Sequence, residues 1–186
     1  ELGLDYSVHE IDIMKDEQFA PDFLKISPNN KIPAIVDREN DRSVFESGAI
    51  LLYLADKTGK LWGDDRWQTT EWLMWQMGGA GPMLGQAHHF LQFNKGKSDY
   101  AEKRYGDEAN RLYGVLNRRL EGRDFVSGSY SIADIAIWPW LSRYDWQGVE
   151  ISDYPNVKDW YERIAARPAV KRGYDVPARG NDIPMP

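Results

Sequence analysis

The chain has 186 residues, 42% apolar and 13% aromatic, with 23 basic against 29 acidic side chains for a formal net charge of −6, and it contains no cysteine. That length and apolar fraction suffice for one large or two small domains with a hydrophobic core. An acidic chain without a basic stripe lacks the phosphate-neutralising surface that nucleic-acid or anionic-membrane partners need, and without cysteine it has no disulfide, no thiolate metal ligand and no thiol nucleophile of its own. Any thiol chemistry must therefore use a ligand's sulfur. The acidic excess sits in residues 1–58, with 6 basic and 12 acidic groups, whereas residues 59–186 hold 17 of each. The longest strongly apolar stretch, Ala49 to Ala55, is far below membrane-spanning length, and no basic n-region with an apolar h-region opens the chain. A cytoplasmic location is expected.

Leu2, Gly3 and Leu4 read as the frayed end of a helix, and the rough alternation from Tyr6 to Ile13 suits an edge strand. Gln18 to Ile26 carries Phe19, Phe23 and Leu24 at helical spacing, and Ser27-Pro28-Asn29-Asn30 then breaks the chain. Short strands are predicted at Ala34 to Val36 and Ser43 to Phe45, around the polar turn Arg38 to Arg42. A helix follows from Ser47 to Lys57, with Ile50, Leu51, Leu54 and Ala55 inward and Gly59 closing it. The order helix, strand, helix, strand, strand, helix lacks only a leading central strand to make a thioredoxin-like unit. That strand and most of the first helix would need about twenty residues upstream of Glu1.

Past Lys60 to Asp65 the pattern becomes all-helical, with apolar periodicity in Trp67 to Phe93, Tyr100 to Leu120, Ile132 to Trp146 and Val157 to Ala166. Ser131-Ile132-Ala133-Asp134 is a capping-box pattern before the apolar run Ile135 to Trp140. The tail after Pro168, with Pro177, Pro184 and Pro186, reads as extended or docked coil. The predicted class is thus α/β plus all-α: an N-terminal domain over 1–58, a linker over 59–66 and a helical-bundle domain over 67–186.

Two constellations carry chemistry. In Asn29-Asn30-Lys31-Ile32-Pro33-Ala34-Ile35, a proline enters a strand where it cannot donate to the ladder. It is either a trans turn proline or, in a thioredoxin-like setting, a cis proline that turns the Ile32 N–H and C=O outward to pair with an extended peptide. Glu46-Ser47-Gly48-Ala49-Ile50 is either a plain helix start with Ser47 as cap, or a site where the helix start attracts a carboxylate and Glu46 an ammonium. The second arrangement fits the zwitterionic end of a γ-glutamyl group.

Ser27-Pro28-Asn29-Asn30-Lys31-Ile32-Pro33-Ala34-Ile35, followed by Phe45-Glu46-Ser47-Gly48-Ala49-Ile50-Leu51-Leu52-Tyr53-Leu54, resembles the glutathione transferases. Trp75 to Gln86, then His88-His89-Phe90, together with Tyr130 to Ala136 and Trp138-Pro139-Trp140, is similar to the bacterial Nu class, which is related to the yeast nitrogen-regulator prion protein. The resemblance implies glutathione as co-substrate, with Ile32 on its cysteinyl backbone, Pro33 in cis, and Glu46 with Ser47 at the γ-glutamyl end. Gln18, Asn30 and Lys31 would lie along the peptide, Lys31 nearest the glycyl carboxylate. It also implies a homodimer in which Arg104 reaches the neighbouring subunit's site; a solvated helix face explains Arg104 equally. In this group the thiol-activating residues follow the first strand, so the catalytic residue is expected upstream of Glu1 and none is named.

Adjacent helical residues point about 100° apart, so His88 and His89 do not share a metal, and no metal is expected. His89 and Phe90 read as core packing or as lining of a second-substrate pocket. Gly78, Gly79, Gly81 and Pro82 within a helical run predict a kinked helix with close backbone packing at a dimer or domain interface. The resemblance implies glutathione-dependent exchange with small or mixed disulfides. Conjugation of glutathione to electrophiles and a non-catalytic binding role are the alternatives.

Overall fold

The computed structural model describes residues 1–178, 180 and 182–186. The chain divides into two compact units, Glu1–Lys60 with Val176–Ala178, and Leu61–Asp175 with the end of the chain.

In the first unit, helix α1 (Pro21–Ile26) leads through a loop to strands β1 (Ala34–Asp37) and β2 (Arg42–Phe45), and helix α2 (Ser47–Thr58) follows. The strands pair antiparallel with Ala34 opposite Phe45 and Asp37 opposite Arg42. Gly59 closes α2 at φ +66°, a left-handed conformation that glycine adopts without a Cβ penalty. A polar clasp joins hairpin to helix: the Asp37 carboxylate accepts from the Tyr53 hydroxyl and from Lys57 Nζ, each at 2.5 Å, and Lys57 also reaches Glu39 at 2.8 Å. These contacts hold the Asp37 carboxyl down from 3.8 to about 2.

Three predictions for this unit are corrected. Tyr6 to Ile13 is not a strand: its residues form no ladder among the described residues, and Tyr6 and Val8 are exposed. Alternation marks a face but pairing makes the strand. Leu2 to Leu4 is not helical, and Gly3 lies at φ +72°. The helix predicted from Gln18 begins at Pro21, a first-turn position suited to a residue with fixed φ and no N–H, and a 3₁₀ turn over Glu17–Phe19 precedes it.

The second unit is helical. Its first run starts with α3 (Arg66–Trp75), capped by Asp65 on the N–H groups of Trp67 and Gln68. It continues through a π-helical turn (Gln76–Ala80), α4 (Gly81–Ala87) and a second π-helical segment (His88–Phe93). The predicted kink is therefore two widened turns. At the first, the Gly81 N–H reaches back five residues to the Gln76 carbonyl, directly before Pro82, which has no N–H to donate. Helices α5 (Asp99–Arg119), α6 (Ile132–Leu141), α7 (Pro155–Ala165) and α8 (Pro168–Tyr174) complete the unit. Its core packs Leu73, Leu84, Leu112, Leu116, Ile137 and Trp160, all fully buried.

The glycines divide. A Cβ on Gly81 would lie 3.2 Å from the Trp140 ring and 2.5 Å from the Gln76 amide, whereas Gly78 and Gly79 face no atom within 4 Å. Close approach explains Gly81 alone, and the partner is α6 of the same unit. Helix α6 also stops earlier than the predicted Trp146. Pro139 lies in its last turns, the Ser142 hydroxyl binds the Pro139 carbonyl at 2.7 Å, and a 3₁₀ turn over Tyr144–Gln147 takes over, ended by Gly148 at φ +66°.

The segment after Pro168, predicted as coil, forms α8. Pro168 suits the first turn, and Lys171 and Arg172 complement the negative end of the helix. Beyond it, Arg179 and Asn181 lie outside the described residues, and the end of the chain docks through the Tyr161 hydroxyl on the Pro184 carbonyl and the Tyr144 hydroxyl on the Met185 carbonyl.

Candidate functional site

The loop between α1 and β1 is built on Ser27, which is fully buried. Its hydroxyl donates to the Lys31 carbonyl at 2.8 Å, and its own carbonyl accepts the Asn30 N–H at 2.9 Å, with Asn30 at φ +47°. This tight turn delivers Ile32 and Pro33 to the mouth of β1, joined by a cis peptide bond. Ile32 lies outside the sheet, 53% exposed, and neither its N–H nor its C=O is hydrogen-bonded among the described residues. A peptide donor and acceptor thus face outward side by side, as an extended ligand requires.

Because the hairpin is antiparallel, the start of β1 and the end of β2 share one edge, so Ile32-Pro33 and Glu46-Ser47 stand together. Glu46 holds φ +69°, ψ +119°, a conformation that costs a non-glycine residue about 1–3 kcal/mol. Its carbonyl still accepts the Ile50 N–H at 2.9 Å, and its exposed carboxylate accepts from the Asn29 amide at 3.3 Å. The first turn of α2 follows immediately, where Gly48 and Ala49 have no intrahelical carbonyl to bond and the helix presents its positive end. Cation-seeking and anion-seeking groups therefore adjoin.

Of the predicted glutathione-site residues, Asn30, Lys31, Ile32, Pro33, Glu46 and Ser47 gather at this edge. Lys31 is exposed and Asn30 half-buried. Gln18 lies in the 3₁₀ turn before α1, its Oε1 buried without a hydrogen-bond partner among the described residues. Asn29, beside Asn30, also reaches this edge through its amide bond to Glu46, seventeen positions away, a contact that only the folded loop reveals.

Arg104 belongs to the second unit, exposed on α5. His89 and Phe90 lie in the second π-helical segment. The Asn94 amide contacts the His89 ring at 3.3 Å and its carbonyl at 3.1 Å, and Phe90 stacks on Tyr105 with centroids 5.4 Å apart and planes at 9°. Tyr105 has no signal in the sequence beyond its adjacency to Arg104. Among the described residues no three His, Cys, Asp or Glu side chains group to hold a metal, and no helix is long and apolar enough to cross a membrane.

Comparison with known proteins agrees with this architecture. Residues 1–56 match the glutathione S-transferase N-terminal domain and residues 80–168 the C-terminal domain. The chain is 52% identical over 178 residues to the disulfide-bond oxidoreductase YfcG of Escherichia coli, covering 91% of this chain and 83% of that protein. A glutathione transferase from Burkholderia graminis, crystallised with two glutathione molecules per subunit, superposes with a TM-score of 0.88 at 44% identity, covering 96% of this chain and 80% of that one. Another from Pseudomonas putida, with one glutathione disulfide per subunit, also gives 0.88 at 41% identity, covering 95% and 83%. The chain belongs to the glutathione S-transferase superfamily and, within it, to the bacterial Nu class.

Proposed function

We propose that the protein binds glutathione at the shared edge of the hairpin and uses its thiolate to reduce small or mixed disulfides in the cytoplasm. The observation that carries this reading is the outward, unpaired backbone of Ile32 beside the strained Glu46 and the start of α2. Ile32 pairs with the cysteinyl backbone, Glu46 takes the γ-glutamyl ammonium, Ser47 and the helix start take its carboxylate, and Lys31 attracts the glycyl carboxylate. Asn30 and Gln18 flank the peptide. The helical domain over 67–186, reached through 59–66, supplies His89 and Phe90 to the acceptor. In a homodimer, Arg104 of one protomer serves the site of the other.

In the reaction, the glutathione thiolate attacks one sulfur of the disulfide, forming a glutathione mixed disulfide and expelling a thiolate that takes up a proton. A second glutathione thiolate attacks the glutathione sulfur, giving glutathione disulfide and expelling the second thiolate, which takes up a proton. Each turnover consumes two glutathione molecules for a small disulfide, or one where the substrate is already a glutathione mixed disulfide, and no protein cysteine, in keeping with a chain that has none. The Burkholderia and Pseudomonas structures, with two glutathiones or one glutathione disulfide bound per subunit, support a site with room for both partners of this exchange.

Turnover by the full-length protein tests the reading. Reduction of a glutathione mixed disulfide is expected to exceed conjugation of a chloronitrobenzene, and preferential conjugation would overturn the assignment. E46Q is expected to raise KM for glutathione about 10–100-fold, the effect of losing a charged hydrogen bond. Sedimentation showing only monomer at micromolar concentration would remove the role of Arg104.

A further inference from the structure

We propose that His88 is a positioning residue: a neutral imidazole carrying its proton on Nδ1, whose Nε2 accepts a hydrogen bond from Gln147 and so fixes the π-helical segment that bears His89 and Phe90. The role in acceptor binding rests on the function proposed above; the protonation state does not.

The tautomer follows from a chain of obligatory donors and acceptors. Gln147 is fully buried, and its Nε2 lies 2.7 Å from the Trp140 carbonyl, a group that can only accept. The carboxamide is thereby oriented, since the flipped form would set two oxygens against each other. Its Oε1 accepts from the Tyr113 hydroxyl at 2.7 Å, which consumes the other end. The second N–H of Nε2 is left facing His88 Nε2 at 2.9 Å. That nitrogen must be an acceptor, so the proton resides on Nδ1.

Protonation would place a ring N–H against the amide N–H and remove the acceptor. The surroundings oppose it. The ring is half-buried, stacked on Trp140 with centroids 6.0 Å apart and edge-on to Trp146 at 5.7 Å. Burial, and then the Arg143 guanidinium, push its pKa below 6.5, against a smaller opposing pull from Asp145. Tyr113, behind Gln147, is held neutral by its own burial.

The bond matters because of how the π-helical segment is clamped. Its wide turn brings His88 and Phe93 onto one face, both against Trp146, with Phe93 at 5.5 Å. Phe90 looks the other way onto Tyr105 of α5, and Leu91 packs over Gly106 and Gly148. His88 is the one polar anchor of the segment to the Tyr144–Gln147 turn among the hydrogen bonds of the described residues. Losing it frees the rotation of the segment that sets His89 and Phe90.

The experiment is a pH titration of the full-length protein labelled with ¹⁵N-histidine. The ring signals that disappear in H88Q, and persist in H9Q and H89Q, are those of His88. The expected result is the Nδ1–H tautomer and a titration below 6.5, accompanied by a change in tryptophan emission. H88Q, whose carbonyl accepts from Gln147 but cannot ionise, is expected to keep the neutral-pH emission and lose the acid transition. With a mixed disulfide as acceptor, wild-type KM should rise about tenfold per pH unit below the His88 pKa, while H88Q stays flat and KM for glutathione follows the same course in both. An Nε2–H tautomer, titration at or above 6.5, or an acid transition retained in H88Q would overturn the proposal. Acceptor KM that ignores the transition would overturn the positioning role. Absence of any disulfide turnover would count against the function proposed above, and the nitrogen shifts would still decide the tautomer.

Discussion

Asp134 is expected to be the most costly single polar side chain to remove from the helical unit. It is fully buried, and its carboxylate accepts from four groups: the Val126 N–H at 3.1 Å, the Ser131 N–H at 3.0 Å, the Ser131 hydroxyl at 2.9 Å and the Trp160 indole N–H at 2.8 Å. It therefore caps α6, closes the preceding loop and satisfies the largest ring in the core. D134A leaves the three N–H donors without an acceptor, and each such buried group costs about 1–3 kcal/mol. The Ser131 hydroxyl can rotate, and water entering the vacated space recovers part of the rest. A net loss of about 3–5 kcal/mol is expected, a large share of a typical stability of about 5–15 kcal/mol. At about 2–4 °C per kcal/mol for a domain of this size, the melting transition read by near-ultraviolet circular dichroism should fall by about 6–20 °C. S131A, which removes only the reciprocal half of the capping box, should cost about 0.5–2 kcal/mol. D134N should fall between, because it keeps one acceptor oxygen but sets an amide donor among donors. A D134A protein melting within about 2 °C of the wild type would refute the assignment of these bonds as the support of the α6 start.

Gly81→Ala should destabilise the same unit by about 1–3 kcal/mol, because the added methyl would lie 2.5 Å from the Gln76 amide and 3.2 Å from the Trp140 ring and must displace them, whereas Gly79→Ala, facing open space, should be neutral or stabilising; equal denaturation midpoints for the two would contradict the packing. The Asp37 clasp carries a pH signature. Its folded pKa is depressed from 3.8 to about 2, chiefly by Lys57 and then Tyr53, so the stability it contributes is full above pH 4 and is lost as pH falls through about 2. Wild type and D37N should therefore differ in melting temperature at pH 6 and converge in that acid window, and a difference that persists at pH 2 would show that the clasp does not act through ionisation.

Residues 27–59 were the most legible part of the fold, because local chemistry alone determines them. Turn residues at Ser27 to Asn30, the proline at the start of β1 and the glycine after α2 act within a few positions, and the hairpin and α2 formed within a residue of their predicted ends. Tyr6 to Ile13 failed for the opposite reason, since a strand needs a partner and no segment among the described residues pairs with it. The capping box was readable because Ser131 and Asp134 serve each other. That Asp134 also serves Val126 and Trp160 was not, because those contacts join residues eight and twenty-six positions apart. At the candidate site, residue types pointed to Glu46 and Ser47, but the left-handed backbone of Glu46 and its bond to Asn29 belong to the folded loop.

The aromatic richness has a different explanation from the one composition suggests. Eight Trp and ten Tyr hint at clefts, since large rings bury area while their polar edges need partners. For four buried rings of the helical unit those partners are supplied internally. Trp138 donates to the Tyr161 carbonyl, Trp160 to Asp134, Tyr113 to Gln147, and Tyr161 to the Pro184 carbonyl. Rings satisfied in this way act as rigid spacers whose edges specify which element lies beside which. Trp140 shows the consequence. Its ring lies against Gly81 and Gly85 of α4, and its carbonyl orients Gln147 and, through it, the proton of His88. One residue of α6 thus sets both the depth at which α4 packs and the charge state of the first residue after it. A change confined to the Trp140 ring should loosen the packing of α4, whereas the orientation of Gln147, which depends on the backbone carbonyl, should survive it.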